Sequence, residues 1–171
     1  MKLFIDGSVD PGSRVGFGAY LLCKEIDAIA GDNSEKIKIR AFKNTSSTRL
    51  ELEVLIWALS EVNCHKLTIY TDSQNIIKLL LRRHKIEEND YRTNSGDLLG
   101  NHILYKTFFQ MFDSMSLEFV KVKGHSPKSQ RSGIESIFGL VDRASRRALR
   151  GHRQAHNLQS VRVGSPSNAS K

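Results

Sequence analysis

The chain has 171 residues, of which 39% are hydrophobic and 26% are charged. This length predicts one folded domain whose core needs no disulfide or metal to hold it together. Its two cysteines, Cys23 and Cys64, form no CxxC pair, which argues against a disulfide framework and a cysteine-based zinc site. The apolar runs are too short for a signal peptide or a membrane span, so we expect a cytoplasmic protein with no membrane partner.

Positive charge is concentrated at the C-terminal end. The formal net charge is +8, yet all 18 acidic residues lie at or before Asp142, so residues 1–142 are close to neutral. The basic residues that follow are Arg143, Arg146, Arg147, Arg150, Arg153, Arg162 and Lys171. Two interpretations stay open, a basic tail that aids solubility and an arm that binds phosphate groups.

The first three predicted elements are strands. Residues 2–6 form an apolar run that ends in Asp6, after which Gly7 is expected to let the backbone turn away. Residues 16–22 read as a second strand whose glycines allow close approach of another backbone or a ligand. Residues 36–42 alternate polar and apolar side chains, which is typical of an edge strand with one wet face. Together they predict an antiparallel meander.

Helices and strands alternate in the rest of the chain. Periodicity predicts a helix after the cap-rich residues 45–48 with Glu51 in its first turn, then a strand over 66–71 ended by Asp72 and a helix from Ser73. A polar loop through 89–96 follows. The remaining predicted elements are a helix over 98–112, a strand over 117–123 and a final helix that carries Asp142. Because helices separate them, the later strands should be parallel. We therefore predict an α/β fold with a mixed five-stranded sheet flanked by helices, in a domain over 1–150, followed by a basic, disordered tail over 151–171.

Four carboxylates in this pattern could meet, namely Asp6, Glu51, Asp72 and Asp142. Like charges a few ångströms apart do not all ionise without compensation, which divalent cations can supply. Ligands that are all oxygen favour Mg²⁺ or Mn²⁺ over zinc. The alternative is that these carboxylates only cap helices and turns, as Asp and Glu commonly do.

The short sequence segments around these carboxylates resemble those of type 1 ribonuclease H, in order and in approximate spacing, over roughly residues 2–150. The matching segments are Phe4-Ile5-Asp6-Gly7-Ser8, Thr48-Arg49-Leu50-Glu51-Leu52, Tyr70-Thr71-Asp72-Ser73-Gln74, Val122-Lys123-Gly124-His125 and Val141-Asp142-Arg143-Ala144. The resemblance implies a ribonuclease H-like fold with a three-strand meander and two parallel strands, as the periodicity also does.

The resemblance implies an endonuclease that hydrolyses the RNA strand of RNA/DNA hybrids, acts as a monomer, and leaves 5′-phosphate and 3′-hydroxyl ends. It assigns Asp6, Glu51, Asp72 and Asp142 to two Mg²⁺ ions, with Mn²⁺ as a possible substitute. His125 matches the family's mobile-loop histidine, which helps proton transfer or product departure. An ordinary surface histidine is the alternative for His125.

Substrate contacts are implied in the same way. Ser47, Thr48 and Gln74 match residues that contact the hybrid near its minor groove, and Ser46 could join a phosphate-binding pocket. The family commonly has two asparagines where this chain has Ser47 and Thr48, and a hydroxyl has a shorter reach than an amide.

The chain also resembles the members that lack a basic protrusion, since the corresponding region contains Glu87, Glu88 and Asp90 and the single tryptophan, Trp57, falls on an earlier helix as a core residue. We expect arginines of the last helix to substitute for that protrusion, at least in part. These are Arg143, Arg146, Arg147, Arg150 and Arg153.

Two other functions stay open at this point. One is a related nuclease of the same superfamily that acts on DNA. The other is a non-catalytic module that keeps the fold and binds hybrids without cutting them, although such modules usually lose acidic residues and all four are present here.

Overall fold

The computed structural model describes residues 1–24, 36–122 and 133–163. In chain order the elements are β1 (Lys2–Asp10), β2 (Val15–Cys23), β3 (Lys38–Phe42), α1 (Ser47–Glu61), β4 (Lys66–Thr71), α2 (Gln74–Leu81), α3 (Arg83–Glu88), α4 (His102–Ser114), β5 (Ser116–Lys121) and α5 (Gly133–Val163). The strands form one sheet in the order β3-β2-β1-β4-β5. Strands β1, β2 and β3 pair antiparallel, and β4 is parallel to both β1 and β5. The predicted mixed sheet, with the third strand at its edge, is confirmed.

The sheet lies between two layers of helices. Side chains of β1 alternate between its faces, so Leu3 and Ile5 join a core that includes residues of α1 and α4, while Phe4 joins a second core that includes Val141 of α5. Phe4 stacks on Tyr70 of β4 with ring centroids 4.6 Å apart. Both faces of the central strand are therefore buried, which explains its continuous apolar run.

Helix α1 packs unusually close to the first hairpin. A Cβ atom added at Gly18 would lie 2.1 Å from Val54, and one added at Gly16 would lie 2.7 Å from Leu50. The glycines of β2 thus provide room for these two side chains of α1, whereas the sequence predicted close approach of a backbone or a ligand. Trp57, farther along α1, is 8% exposed and packs edge-on against Tyr20, which confirms it as a core residue.

The prediction that the first strand ends at Asp6 is wrong. Strand β1 continues to Asp10 because β2 pairs with it along its whole length, with Gly7 opposite Gly18. Gly7 makes no turn here. Its missing side chain leaves space for Leu50, which an added Cβ would approach to 3.0 Å. The strand that ends beside Asp6 is β4, at Thr71.

Two helical segments were not predicted. Helix α3 lies where the sequence suggested only a lead into a polar loop, and Arg83 anchors it through Glu87 in the same helix and through Asp113 in α4. Helix α5 continues to Val163, whereas order was expected to fade from residue 151. Residues 164–171 lie outside the described ranges, and the division of the chain at residue 150 stays a prediction.

None of the helices within the described ranges is long and apolar enough to cross a membrane.

Candidate active site

The four carboxylates singled out from the sequence border one cavity of about 130 Å³. Each comes from a different part of the fold: Asp6 from β1, Glu51 from α1, Asp72 from the segment after β4, and Asp142 from α5. Arg146 and Ser8 also line this cavity. The structure therefore brings together all four residues at one edge of the sheet.

Strand register explains why Asp6 and Asp72 meet. Strands β1 and β4 pair in parallel as far as Phe4 and Tyr70. Asp6 and Asp72 each follow that last pair by two residues, so they lie at the same level. Because β4 ends at Thr71 while β1 continues, the sheet opens at this point and leaves the side of Asp6 accessible to neighbouring carboxylates.

Asp6 is partly buried and is held by α5. The hydroxyl of Ser145, which is fully buried, lies 2.6 Å from Asp6 Oδ2 and donates a hydrogen bond to it. Burial raises the pKa of Asp6 from its ordinary value of 3.8 to about 7; the Ser145 hydrogen bond opposes this change, and the negative charges of Asp72 and Asp142 add to it. The site therefore favours a positive charge beside Asp6.

Glu51 is held by two residues at the start of α2. Ser73 Oγ donates to Glu51 Oε2 at 2.7 Å, and Asn75 Nδ2 donates to the same oxygen at 3.1 Å. Ser73 also caps α2, since its Oγ accepts a hydrogen bond from the backbone N–H of Ile76. Glu51 lies one turn further into α1 than predicted, because that helix begins at Ser47.

Asp142 forms an ion pair within α5. Arg146 Nε lies 2.6 Å from Asp142 Oδ1, one helical turn away. Both side chains border the cavity, so the guanidinium group supplies positive charge at its edge. Asp72 is the most exposed of the four carboxylates.

The donor set suits a hard divalent cation. The described residues that line the cavity offer carboxylate and hydroxyl oxygens, with no Cys or His among them. Crowding of carboxylates around the buried Asp6 is the electrostatic situation that such a cation relieves. Within the described ranges, no three acidic, His or Cys side chains are grouped closely enough to hold an ion as they stand.

The predicted substrate residues lie beside this cavity or near it. Ser47 and Thr48 are exposed in the first turn of α1, and Gln74 is the exposed first residue of α2. Thr48 shares a small cleft with Asn75, the residue that holds Glu51. Ser46 is the N-cap of α1 and accepts a hydrogen bond from the backbone N–H of Arg49, which gives it a structural role.

The other predicted residues divide into two groups. The arginines Arg143, Arg146, Arg147 and Arg150 are exposed on α5, and only Arg146 lines the cavity. His125 falls outside the described ranges.

Sequence reasoning missed three residues that hold the carboxylates: Ser73, Asn75 and Ser145. Ser73 was recognised only as the start of a helix. Ser145 carried a usable signal, since it lies three residues after Asp142 and interrupts the apolar stripe of α5 with a hydroxyl.

The fold and the site together define a class: a mixed five-stranded sheet with a parallel pair, and acidic residues gathered where that pair separates. The RNase H family model matches residues 1–136, and the chain belongs to the RNase H family. Asp142 and the arginines of α5 lie beyond the matched segment.

Curated relatives carry the same family name over nearly their whole length. The chain is 28% identical over 140 residues to the Ribonuclease H of Clostridium botulinum, an alignment that covers 79% of this chain and 90% of that protein. It is 29% identical over 141 residues to the Ribonuclease H of Caldicellulosiruptor saccharolyticus, with the same coverage. It is 26% identical over 159 residues to the Ribonuclease H of Caldanaerobacter subterraneus, covering 89% and 92%.

Proposed function

We propose that this protein is a ribonuclease H that hydrolyses the RNA strand of RNA/DNA hybrids and leaves 5′-phosphate and 3′-hydroxyl ends. The observation that carries the proposal is the shared cavity of Asp6, Glu51, Asp72 and Asp142, four carboxylates that four separate elements supply. Membership of the RNase H family and the names of its curated relatives support the choice of substrate. Since one chain supplies the whole set, we propose that it acts as a monomer.

The four carboxylates would hold two Mg²⁺ ions, for which Mn²⁺ could substitute. When bound, such ions supply activation of a water for in-line attack on the phosphodiester and stabilisation of the leaving 3′ oxygen. Ser145 fixes the orientation of Asp6, and Ser73 and Asn75 fix that of Glu51. Arg146 would compete with an ion for Asp142, since its Nε pairs with one of the two oxygens of that carboxylate. We assign His125 to proton transfer or product release.

Substrate recognition is proposed for the exposed residues at the starts of α1 and α2. Ser47, Thr48 and Gln74 would contact the 2′-hydroxyls and the minor groove of the hybrid. Their position supports this, since Thr48 borders the cleft beside Asn75 and Glu51. The N-terminus of α1, capped by Ser46, also offers backbone N–H groups to a phosphate.

The decisive experiment compares wild type with Asp6→Asn on an end-labelled RNA/DNA hybrid. We expect wild type to cut the RNA strand with Mg²⁺ and to leave it intact with chelator, and Asp6→Asn to be inactive under both conditions. Double-stranded RNA and double-stranded DNA of the same sequence serve as controls and should stay intact. Circular dichroism of Asp6→Asn checks that the variant folds.

Other results would assign another function. Cleavage of the DNA duplex by wild type would identify a DNA-directed nuclease of the same fold. Tight binding of the hybrid without cleavage, with either Mg²⁺ or Mn²⁺, would identify a non-catalytic binding module. Unchanged cleavage by Asp6→Asn would show that the carboxylates only cap and orient local structure.

A further inference from the structure

Five arginines form one face of α5. Arg143, Arg146, Arg147, Arg150 and Arg153 are all exposed. At 100° of rotation per residue, they fall within an arc of roughly 120° that begins beside Asp142. We call this surface the α5 arginine face. The opposite side of the helix, which includes Val141, Ser145 and Leu149, is buried.

Only part of this positive charge is balanced. Arg146 pairs with Asp142 at 2.6 Å, and Arg153 pairs with Asp10 of β1 at 3.0 Å. Among the described residues, Arg143, Arg147 and Arg150 have neither an ion pair nor a hydrogen bond from their side chains. The α5 arginine face therefore carries three cations that the described part of the chain does not neutralise.

The spacing of these arginines is unfavourable for an isolated helix. Arg143 and Arg147, like Arg146 and Arg150, are four residues apart, where like charges destabilise a helix. A solvated helix face normally mixes both signs, but no Asp or Glu follows Asp142 in this chain. A bound polyanion would turn this repulsion into attraction.

The α5 arginine face begins at the candidate active site and leads away from it. At its start, Arg146 borders the carboxylate cavity. At its end, α5 lies against the hairpin of β1 and β2, where Arg153 pairs with Asp10 and the ring of His152 is 5.6 Å from that of Phe17. A rise of about 1.5 Å per residue makes the face about 15 Å long. This corresponds to roughly four nucleotides at about 3.4 Å per step.

We propose that the α5 arginine face binds the phosphate backbone of the same nucleic acid that enters the active site, on the side where α5 runs along the β1–β2 hairpin. This inference rests on the proposed function, since it names a further binding surface for that substrate. Arginine suits the role because its guanidinium group donates two parallel hydrogen bonds to phosphate oxygens. Contacts of this kind add affinity without sequence preference.

Substitutions test the face more cleanly than truncation does. Removing α5 after Ala148 would also remove the buried Leu149 and the ion pair between Arg153 and Asp10. We therefore choose Arg143→Gln, Arg147→Gln, Arg150→Gln and the triple variant, since these side chains have no described ion-pair partner to lose. The matched control is Lys66→Gln, which removes one exposed charge at the start of β4, the end of that strand farthest from Asp72.

The measurement is the salt dependence of hybrid binding. Binding is monitored by fluorescence anisotropy in the presence of a chelator, so that cleavage does not interfere. Each arginine that contacts a phosphate contributes about 0.9 to the slope of log K against log salt for a duplex. We expect each single variant to reduce the magnitude of the slope by about that amount and the triple variant by roughly three times as much. Lys66→Gln should leave the slope unchanged. A triple variant with the wild-type slope would overturn the inference, as would an equal loss in Lys66→Gln.

Two further arms separate possible failures. Cleavage of the hybrid by wild type with Mg²⁺ tests the proposed function alone. If wild type cleaves the hybrid but the salt slope is the same in the arginine variants, only the present inference is wrong. If wild type does not cleave the hybrid but the triple variant has a smaller salt slope, only the proposed function is wrong. Binding to vesicles of anionic phospholipid is measured as well. If the triple variant loses vesicle binding but keeps its hybrid affinity, the face binds anionic lipid instead of nucleic acid and the inference is wrong. Thermal unfolding checks that every variant is folded.

Discussion

Arg146 Nε lies 2.6 Å from Asp142 Oδ1, so an arginine holds one of the four carboxylates that line the candidate active site. The pair is partly exposed, and ion pairs of this helical spacing contribute only about 0.3–0.5 kcal/mol. A divalent cation can therefore displace Arg146 at little cost.

Arg146→Gln should strengthen Mg²⁺ binding. The substitution removes a cation that competes for Asp142 and leaves the negative charge of the cavity less compensated. A lost competitor worth about 0.3–0.5 kcal/mol corresponds to a gain in affinity of roughly twofold. Isothermal titration calorimetry with Mg²⁺ measures this directly. Arg150→Gln is the control, because it removes the same charge from the same helix without touching the cavity; an equal gain there would point to general electrostatics instead.

Asp6 predicts a pH-dependent stability of the metal-free protein. Its pKa is about 7 in the folded state against an ordinary 3.8, so folding favours the protonated form. Below about pH 4 the carboxyl group of Asp6 is protonated in both the folded and the unfolded state, so it does not lower the free energy of unfolding. As the pH rises toward 7 the unfolded state loses its proton first, and stability falls by at most about 4 kcal/mol before levelling off.

Asp6→Asn should remove that loss. In chelator, we expect the variant to be more stable than wild type at pH 8 and about equal to it at pH 4, as measured by urea unfolding. Asp97→Asn, at an exposed position, serves as the control and should change little at either pH. Equal stability of Asp6→Asn and wild type at pH 8 would contradict the burial of a charged Asp6.

Ser145→Ala should affect both stability and the behaviour of Asp6. The hydroxyl of Ser145 is buried and hydrogen-bonds Asp6, and that bond lowers the pKa of Asp6. Its removal should cost about 1–3 kcal/mol and should shift the pH dependence of Mg²⁺ binding toward higher pH. Ser8→Ala is the matched control, since it removes only the second hydroxyl, 3.1 Å from that of Ser145. Identical pH profiles for both variants would argue against the role of Ser145.

Asn75→Ala separates the positioning of Glu51 from folding. Asn75 is exposed and donates to Glu51 at 3.1 Å, so its loss should lower hybrid cleavage while changing the free energy of unfolding by less than about 0.5 kcal/mol. Ser73→Ala should lower cleavage too, but it should also destabilise the protein by about 1 kcal/mol because Ser73 caps α2. Wild-type cleavage rates for Asn75→Ala would show that Ser73 alone orients Glu51.

The sequence predicted the sheet and the meeting of the carboxylates because both depend on local patterns. Alternation and periodicity place Asp6 and Asp72 after two apolar strands, and the resemblance to type 1 ribonuclease H implied that these carboxylates meet; the structure shows that the two strands pair in parallel. The extent of β1 could not be read in this way. Gly7 has the sequence signature of a turn, yet its actual partner is Leu50 of α1, a residue far along the chain.

Helices α3 and the last part of α5 were missed for a related reason. Their sequences are polar, and the contacts that hold them are made with distant residues: Arg83 with Asp113, and Arg153 with Asp10. Propensity within a short window does not report such partners. The bonds from Ser73 and Asn75 to Glu51 escape sequence reasoning for the same reason.

The glycines of β2 govern the active site indirectly. Leu50 and Val54, which fill the space above Gly16 and Gly18, lie on either side of Glu51 in one rigid helix. A side chain added at position 18 would clash with the side chain of Val54, and we expect α1 to shift away from the sheet to relieve that clash. Glu51 would then move away from Asp6, so Gly16 and Gly18 set how closely α1 packs on the sheet and hence the distance between Glu51 and β1.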